Sequence, residues 1–292
     1  MELSDLNVFM KVVQCNGISG AAAQLNRVPS NVTARIKSLE DKLGKDLFVR
    51  EKNRLRISPA GELLLPYAKQ LLALSDQAKD ALSDNQPSGY LRVGTMEAVA
   101  ATRLVEPLKQ FHQTFPQVQL EIKTAPTGDL IDRVLAGELD VALVADCAAD
   151  KRLVQTAVFE EELVIVSDLE HAHISSVNDL GSDPCFIGFS ASCAYRNKMT
   201  QWIKSTGQRV KVIEISSYHA LLSCVAAGMG VGIVPRALLA SYPFHESIQV
   251  HALSKQWQQS ITSIIWREDC VKPSIIAFSQ AIKGILDERK SQ

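Results

Sequence analysis

Residues 18–61 constrain this chain more than any other stretch. A run of small residues, Ser19-Gly20-Ala21-Ala22-Ala23-Gln24-Leu25, precedes a turn at Asn26-Arg27-Val28. Pro29 then suits the first turn of a new helix, where its missing N–H has no helical partner. Val32, Ile36, Leu39 and Leu43 recur at steps of four, three and four, one face of a helix, and Gly44 is placed to end it. Nearly bare residues such as Gly20, Ala21 and Ala22 let a second helix cross close by. Leu47-Phe48-Val49 and Leu55-Arg56-Ile57 flank Arg50-Glu51-Lys52-Asn53-Arg54, which predicts a hairpin with a basic tip. The whole reads as a winged helix-turn-helix.

The apolar stripe must face a core, so Ser30, Asn31, Thr33, Ala34, Arg35 and Lys37 lie on the other side, early in the helix. There a recognition helix presents side chains to base edges and phosphates of a DNA major groove. Arg50, Arg54 and Arg56 extend the candidate contact set into the wing. Between residues 27 and 56 stand nine Lys or Arg against four acids, plus five in a chain whose total is minus one. The remainder therefore carries minus six, and the asymmetry predicts an electrostatic footprint at one end.

From 59 to about 85 good helix formers dominate and no strand signal interrupts them. Leu64, Ala68, Leu71, Ser75, Ala78 and Leu82 follow steps of four and three, the seam of a short coiled coil. Two recognition helices held by such a seam would read half-sites about one helical turn apart. Turn formers at 84–89 then mark a boundary. The expected domains are 1–58 (winged helix-turn-helix), 59–86 (linker and dimerisation helix) and 87–292, the last in two lobes, 90–162 with 268–292 and 163–267.

Beyond Gly89, strand patterns at 91–94, 119–123 and 141–144 alternate with helical ones at 99–115 and 129–136. A second set follows: strands at 162–166, 185–188, 210–215, 232–234 and 261–266, and helices at 194–206, 220–227 and 274–287. This alternation implies a largely parallel sheet. In such sheets ligands settle beyond the carboxyl ends of strands. The loops there carry Thr95 and Glu97, Thr127, Asp146, Ser190, Ser192, Cys193 and Tyr195, and Ser217, Tyr218 and His219. Their hydroxyls and amides predict a polar small-molecule pocket between two lobes. Glu97 and Asp146 favour a cationic ligand such as an amine, whereas Tyr195, Arg196 and His219 could serve a carboxylate.

Phe9, Ala21-Ala22, Leu25, Leu39-Glu40, Leu43-Gly44, Leu47-Phe48, Arg50 and Pro59-Ala60-Gly61 resemble the DNA-binding module of LysR-type transcriptional regulators, and the likeness continues through nearly the whole chain. Val28-Pro29-Ser30 replaces the family's frequent Ser-Gln-Pro, and Ala34 its frequent Arg; both departures bear on the operator sequence. The resemblance implies an α+β multidomain protein: a winged helix-turn-helix, a linker helix and a two-lobed α/β effector domain resembling periplasmic binding proteins. It also implies a homodimer or homotetramer whose partners are promoter DNA, a small effector and RNA polymerase. Arg27-Val28-Pro29-Ser30-Asn31 and Ser217-Tyr218-His219 resemble a subgroup that includes a regulator of putrescine utilisation.

Met1-Glu2-Leu3-Ser4-Asp5 lacks the basic and apolar regions of a signal peptide, and the apolar run 221–235 is short and broken by glycines, so a cytoplasmic location is expected. Six scattered cysteines without a Cys-x-x-Cys pair argue against a disulfide framework or zinc ribbon. Cys193 has the setting of the reactive thiol in the redox-sensing branch of the family, without a resolving cysteine before Cys224, and thiol sensing stands as an alternative. The other alternative is an α/β enzyme with a DNA-targeting module. Against it, there is no nucleophile elbow, P-loop, dinucleotide fingerprint or metal-spaced histidine set. No cofactor, metal or catalytic residue is expected.

Overall fold

The computed structural model of the chain describes residues 1–51, 54–82, 86–181, 184–204, 210–240, 242–243, 245–270 and 272–290; side chains at 54, 76–77, 79–82 and 285–290 are outside the described set. The chain divides into two compact units, residues 1–84 with 136–138, and residues 85–135 with 139–292.

The first unit opens with α1 (Leu3–Gln14), α2 (Ile18–Gln24) and α3 (Pro29–Leu43). Pro29 occupies the first turn of α3, and Gly44 closes it in the left-handed conformation (φ 64°) that a Cβ would strain. Leu6, Phe9 and Val12 of α1, Ala21 and Ala22 of α2, and Val32, Ile36 and Leu39 of α3 form one buried cluster. Leu43, the last step of the expected stripe, is exposed, at the very end of α3.

Strands β1 (Phe48–Glu51) and β2 (Arg54–Ile57) pair antiparallel, Phe48 opposite Ile57 and Glu51 opposite Arg54. The wing tip at 52–53 lies outside the described residues. Glu40 on α3 accepts the amides of Leu47 (2.7 Å) and Phe48 (3.2 Å) through one oxygen. One carboxylate thus sets the angle between helix and wing. The long helix α4 (Pro59–Leu82) follows. Its face differs from the expected seam: Ala68 is fully buried in the core of the unit and Leu64 packs against it. The exposed apolar residues are Leu63 (69%), Tyr67 (58%), Leu71 (37%) and Leu74 (61%), of which only Leu71 belongs to the expected seam. The tertiary core took Leu64 and Ala68 from that seam and left Leu71 outside with the neighbouring row. Leu82's side chain lies outside the described set.

The second unit begins with β3 (Gly89–Thr95), α5 (Glu97–Thr102), α6 (Val105–Thr114), β4 (Val118–Thr124), α7 (Thr127–Leu135) and β5 (Val141–Ala145). The single helix expected at 99–115 is two. Pro107 would oppose the carbonyl of residue 103 in a continuous helix, but falls harmlessly in the first turn of α6. The break frees Arg103 for a bidentate pair with Glu161, at 2.8 and 2.9 Å.

The chain continues through β6 (Leu153–Ser167), β7 (Cys185–Gly188), α8 (Ala194–Lys204), β8 (Lys211–Glu214), α9 (Tyr218–Ala226), β9 (Gly232–Pro235) and α10 (Arg236–Leu239). It ends with β10 (Gln249–Ala252), α11 (Lys255–Gln258), β11 (Gln259–Arg267) and α12 (Pro273–Lys290). The principal sheet has the order β10-β6-β11-β5-β3-β4, with β9 also on β6, and β7 pairs β8.

The expectation of a largely parallel sheet needs correction. β3 runs parallel to β4 and β5, and β7 to β8, but β11 is antiparallel to β5 and β6, and β6 is antiparallel to β9 and β10. Strands joined by a crossover helix within a lobe run parallel; β11 returns from the other lobe and so joins the sheet from its opposite end. β6 serves both lobes, pairing β11 through Glu162 and β9 from Leu163 onward. Because Thr262–Ile265 pair with β5, β11 lies in the sheet of the first lobe ahead of position 267. Among the described residues no helix is long and apolar enough to cross a membrane.

One buried histidine gives the second lobe a pH response. His251 on β10 is fully enclosed; its Nδ1 accepts the Ile174 amide at 3.1 Å and its Nε2 lies 2.8 Å from Ser167 Oγ. Since Nδ1 accepts, the ring is neutral with its proton on Nε2. Burial, with His173 and His171 nearby, pushes its pKa below the ordinary histidine value. Above about pH 6.5 the ring is neutral folded or unfolded; below it, only the unfolded chain takes up the proton until the lower folded pKa is reached. The melting temperature reported by tryptophan fluorescence should therefore fall on acidification from pH 7, and His251→Gln should flatten that fall. An equal slope in the variant would refute the assignment.

Candidate nucleic-acid interface and ligand cavity

On α3, Ser30, Asn31, Thr33, Ala34 and Lys37 are exposed, and Arg35 is half-buried. The Thr33 hydroxyl donates to the Pro29 carbonyl at 3.0 Å, which steadies its rotamer. Arg27 Nη1 donates to Asn31 Oδ1 at 3.3 Å.

Arg35 has a different role from the one its place on the polar face suggests. Its guanidinium donates to Ser4 Oγ (2.8 Å) and pairs with Asp5 (3.2 Å), which Lys42 also reaches at 3.2 Å. Burial raises the Asp5 pKa, but the Lys42 hydrogen bond, the Glu2 amide and the two cations together hold it below the usual carboxylate range. Arg35 and Lys42 therefore tie α3 to the start of α1. Thr33, Lys37, Lys45 and Arg50 line a groove of about 720 Å³ between α3 and the wing. Arg50 is exposed, Arg56 pairs with Glu51 at 3.3 Å, and Arg54's side chain is outside the described set.

The second unit holds a cavity of about 520 Å³ where strand ends of the two lobes meet. From the first lobe come Met96 and Glu97 after β3, Thr124 at the end of β4 with Ala125 to Thr127 after it, and Asp129 and Arg133 on α7; the second supplies Phe189 and Ser190 after β7, Cys193, Tyr195, and Glu214 to Ser216 with Tyr218 around β8 and α9. Hydrogen bonds cross between the lobes: the Gly128 amide donates to the Ser192 carbonyl at 2.9 Å, and the Tyr218 amide to Glu97 Oε1 at 3.3 Å. The rings of Phe189 and Tyr218 meet at 4.7 Å and form an apolar wall.

Of the sequence-derived candidates, Glu97, Thr127, Ser190, Cys193, Tyr195 and Tyr218 converge on this cavity. The others do not line it. Thr95 is buried and its hydroxyl donates to the Met96 carbonyl; Ser192 Oγ bonds Ser190 Oγ at 2.8 Å; Ser217 caps α9; His219 is exposed. Asp146, in a left-handed turn (φ 47°), accepts Ser260 Oγ (2.9 Å) and the Ile261 amide (3.0 Å) and pairs with Lys198 (3.1 Å). Its charge is answered by Lys198, Ser260 and the Ile261 amide, so the pairing of Glu97 with Asp146 around a cation fails. Arg196 is likewise occupied, by Glu214 and the Phe189 carbonyl, each at 2.7 Å.

Burial pushes the thiol pKa of Cys193 up, opposite to the shift that would favour a reactive thiolate. Burial and the Glu161 charge push the Tyr195 phenol up as well, against a smaller lowering from Ser260, and among the described residues its Oη makes no hydrogen bond of ordinary geometry.

Residues 3–62 match the family model for the bacterial regulatory helix-turn-helix protein, lysR family, and residues 84–286 match the LysR substrate binding domain. The chain belongs to the LysR family. A curated relative, the uncharacterized HTH-type transcriptional regulator YusT of Bacillus subtilis (strain 168), is 37% identical over 271 residues, covering 92% of this chain and 90% of its own. Full-length OxyR from Pseudomonas aeruginosa, in a variant form, shares the fold with a TM-score of 0.71 and 21% identity, over 97% of this chain and 94% of that one. Full-length CbnR complexed with its target DNA gives 0.69 and 20%, over 97% and 99%. This LysR protein is thus a DNA-binding transcriptional regulator, not an enzyme.

Sequence reasoning missed Asp129 and Arg133 in the LysR substrate-binding domain, and also Phe189 and Glu214. A signal existed for the last two, which sit where β7 and β8 end. Asp129 and Arg133 lie one turn apart on α7, and only the packed sheet shows which turn faces the cavity.

Proposed function

We propose that this LysR-type regulator binds promoter DNA as a dimer through Ser30, Asn31, Thr33, Ala34 and Lys37, with Arg50, Arg54 and Arg56 on the wing. Binding of a small polar metabolite between the lobes then modulates it. What supports the first part most is that the polar side of α3 is open while Val32, Ile36 and Leu39 anchor it from behind. The row Leu63, Tyr67, Leu71 and Leu74 on α4 suits a two-helix seam, a contact that excludes water only when a second copy lies against it. Two recognition helices multiply discrimination, and an effector needs a coupling of only ~1–3 kcal/mol to redirect the complex.

The effector reading is finer. Glu97 and Asp129 at the cavity favour a ligand with an amine, the chemistry that the putrescine-utilisation subgroup would use, and no comparable feature favours a thiol switch.

Operator binding is measured on a duplex selected from random sequence. Thr33→Ala should weaken it by about 1–3 kcal/mol, and Lys37→Ala should reduce the slope of affinity against salt by about one counterion. Unchanged behaviour of both at fixed salt would reject α3 as the recognition helix. Arg35→Ala acts through the Asp5 tie and should lower the stability of the first unit.

A further inference from the structure

The charges at the cavity carry both signs, and some of them are unanswered. Glu97 accepts one long bond, the Tyr218 amide at 3.3 Å. Asp129 and Arg133 stand at i and i+4 on α7, the spacing at which opposite charges on a helix ordinarily meet, yet their side chains make no ion pair or hydrogen bond among the described residues. Deeper in, Tyr195 is 2% exposed, and among the described residues its hydroxyl, which faces Ser260, makes no hydrogen bond of ordinary geometry. The wall opposite is apolar, built from Met96, Ile215 and the Phe189–Tyr218 pair.

We infer that the effector is an α-amino acid with an apolar side chain, its ammonium held by Glu97 and Asp129 and its carboxylate by Arg133, an inference that rests on the cavity being the effector site. A plain amine answers two carboxylates and leaves Arg133 facing nothing. A plain carboxylate answers Arg133 but meets Glu97 and Asp129, a like-charge contact in a partly enclosed space. Only a ligand carrying both poles satisfies the set, and its side chain lies on the aromatic wall. Arg196 does not enter this count, because Glu214 and the Phe189 carbonyl hold it.

The test uses the full chain, with thermal shift as a screen and calorimetry for affinity. The probes are the twenty L-amino acids, with phenethylamine and isoamylamine as amines lacking the carboxylate, and hydrocinnamate and 4-methylpentanoate as acids lacking the ammonium. The expected result is stabilisation by L-phenylalanine, L-leucine or a similar apolar amino acid, bound at least about tenfold more tightly than its amine or acid counterpart, the size of one charge-assisted bond. Arg133→Gln should abolish the advantage over the amine, and Asp129→Asn should reduce the advantage over the acid. Both variants are checked for an unchanged fluorescence melt without ligand, and the three ligand series on the unaltered chain decide the matter alone if either fails to fold. Amines that bind as well as amino acids would overturn the inference and leave the amine reading intact. No stabilisation by any probe would overturn both.

Discussion

Replacing Arg103 by methionine should destabilise the second unit by about 3–5 kcal/mol, because it leaves a buried carboxylate without its cation. Glu161 is 2% exposed and receives two parallel hydrogen bonds from Arg103, whose guanidinium also lies 5.9 Å from the centre of the Phe159 ring. The pair holds the α5–α6 break against β6, the strand shared by both lobes. Removing both charges with Arg103→Met/Glu161→Met should cost much less than removing one, since a buried ion pair is often nearly neutral against an apolar replacement. All three tryptophans, Trp202, Trp257 and Trp266, lie in this unit, so urea titrations followed by fluorescence read it directly. A single variant losing under about 1 kcal/mol would show that water, not Arg103, satisfies Glu161.

Gly61→Ala should abolish DNA binding by disrupting the first unit. A Cβ at that position would sit 2.3 Å from the Leu47 carbonyl oxygen and 2.6 Å from Ile57 Cγ1. Backbone cannot yield there cheaply. The Leu47 amide is held by Glu40, its carbonyl accepts the Ser58 amide at 2.9 Å, and Ser58 Oγ donates to the Asp46 carbonyl at 2.6 Å while accepting the Gly61 amide at 3.0 Å. Overpacking of this kind against main chain costs ~3 kcal/mol or more. The tryptophan transition should stay in place while helical circular dichroism is lost at lower urea. Gly17→Ala, where an added Cβ meets nothing within 4 Å, is the control. Retained operator affinity in Gly61→Ala would show that α4 can shift without moving the wing.

Much of the first unit was legible because its signals are short-range. The steps from Val32 to Leu39 report one helix face, Pro29 and Gly44 mark its ends, and the hairpin follows from two apolar triplets around a basic run. The cavity was half legible for the same reason: strand ends can be located, and Glu97, Thr127, Ser190, Tyr195 and Tyr218 lie at them. Asp146 escaped this logic because its partners Ser260 and Ile261 lie more than a hundred residues away, and Arg35 because Asp5 belongs to another helix.

From its order of residues alone, the chain determined most of its elements, the sequence of its domains and which helix could present a polar face to DNA, since periodicity and turn chemistry act over a few neighbours. Only the tertiary structure decided which apolar row of α4 is buried, in which direction β6 and β11 run, and which charges remain available to a ligand. Those outcomes depend on what packing brings within about 3 Å, the reach of a hydrogen bond, and residues distant in the chain meet at that range only once it has folded.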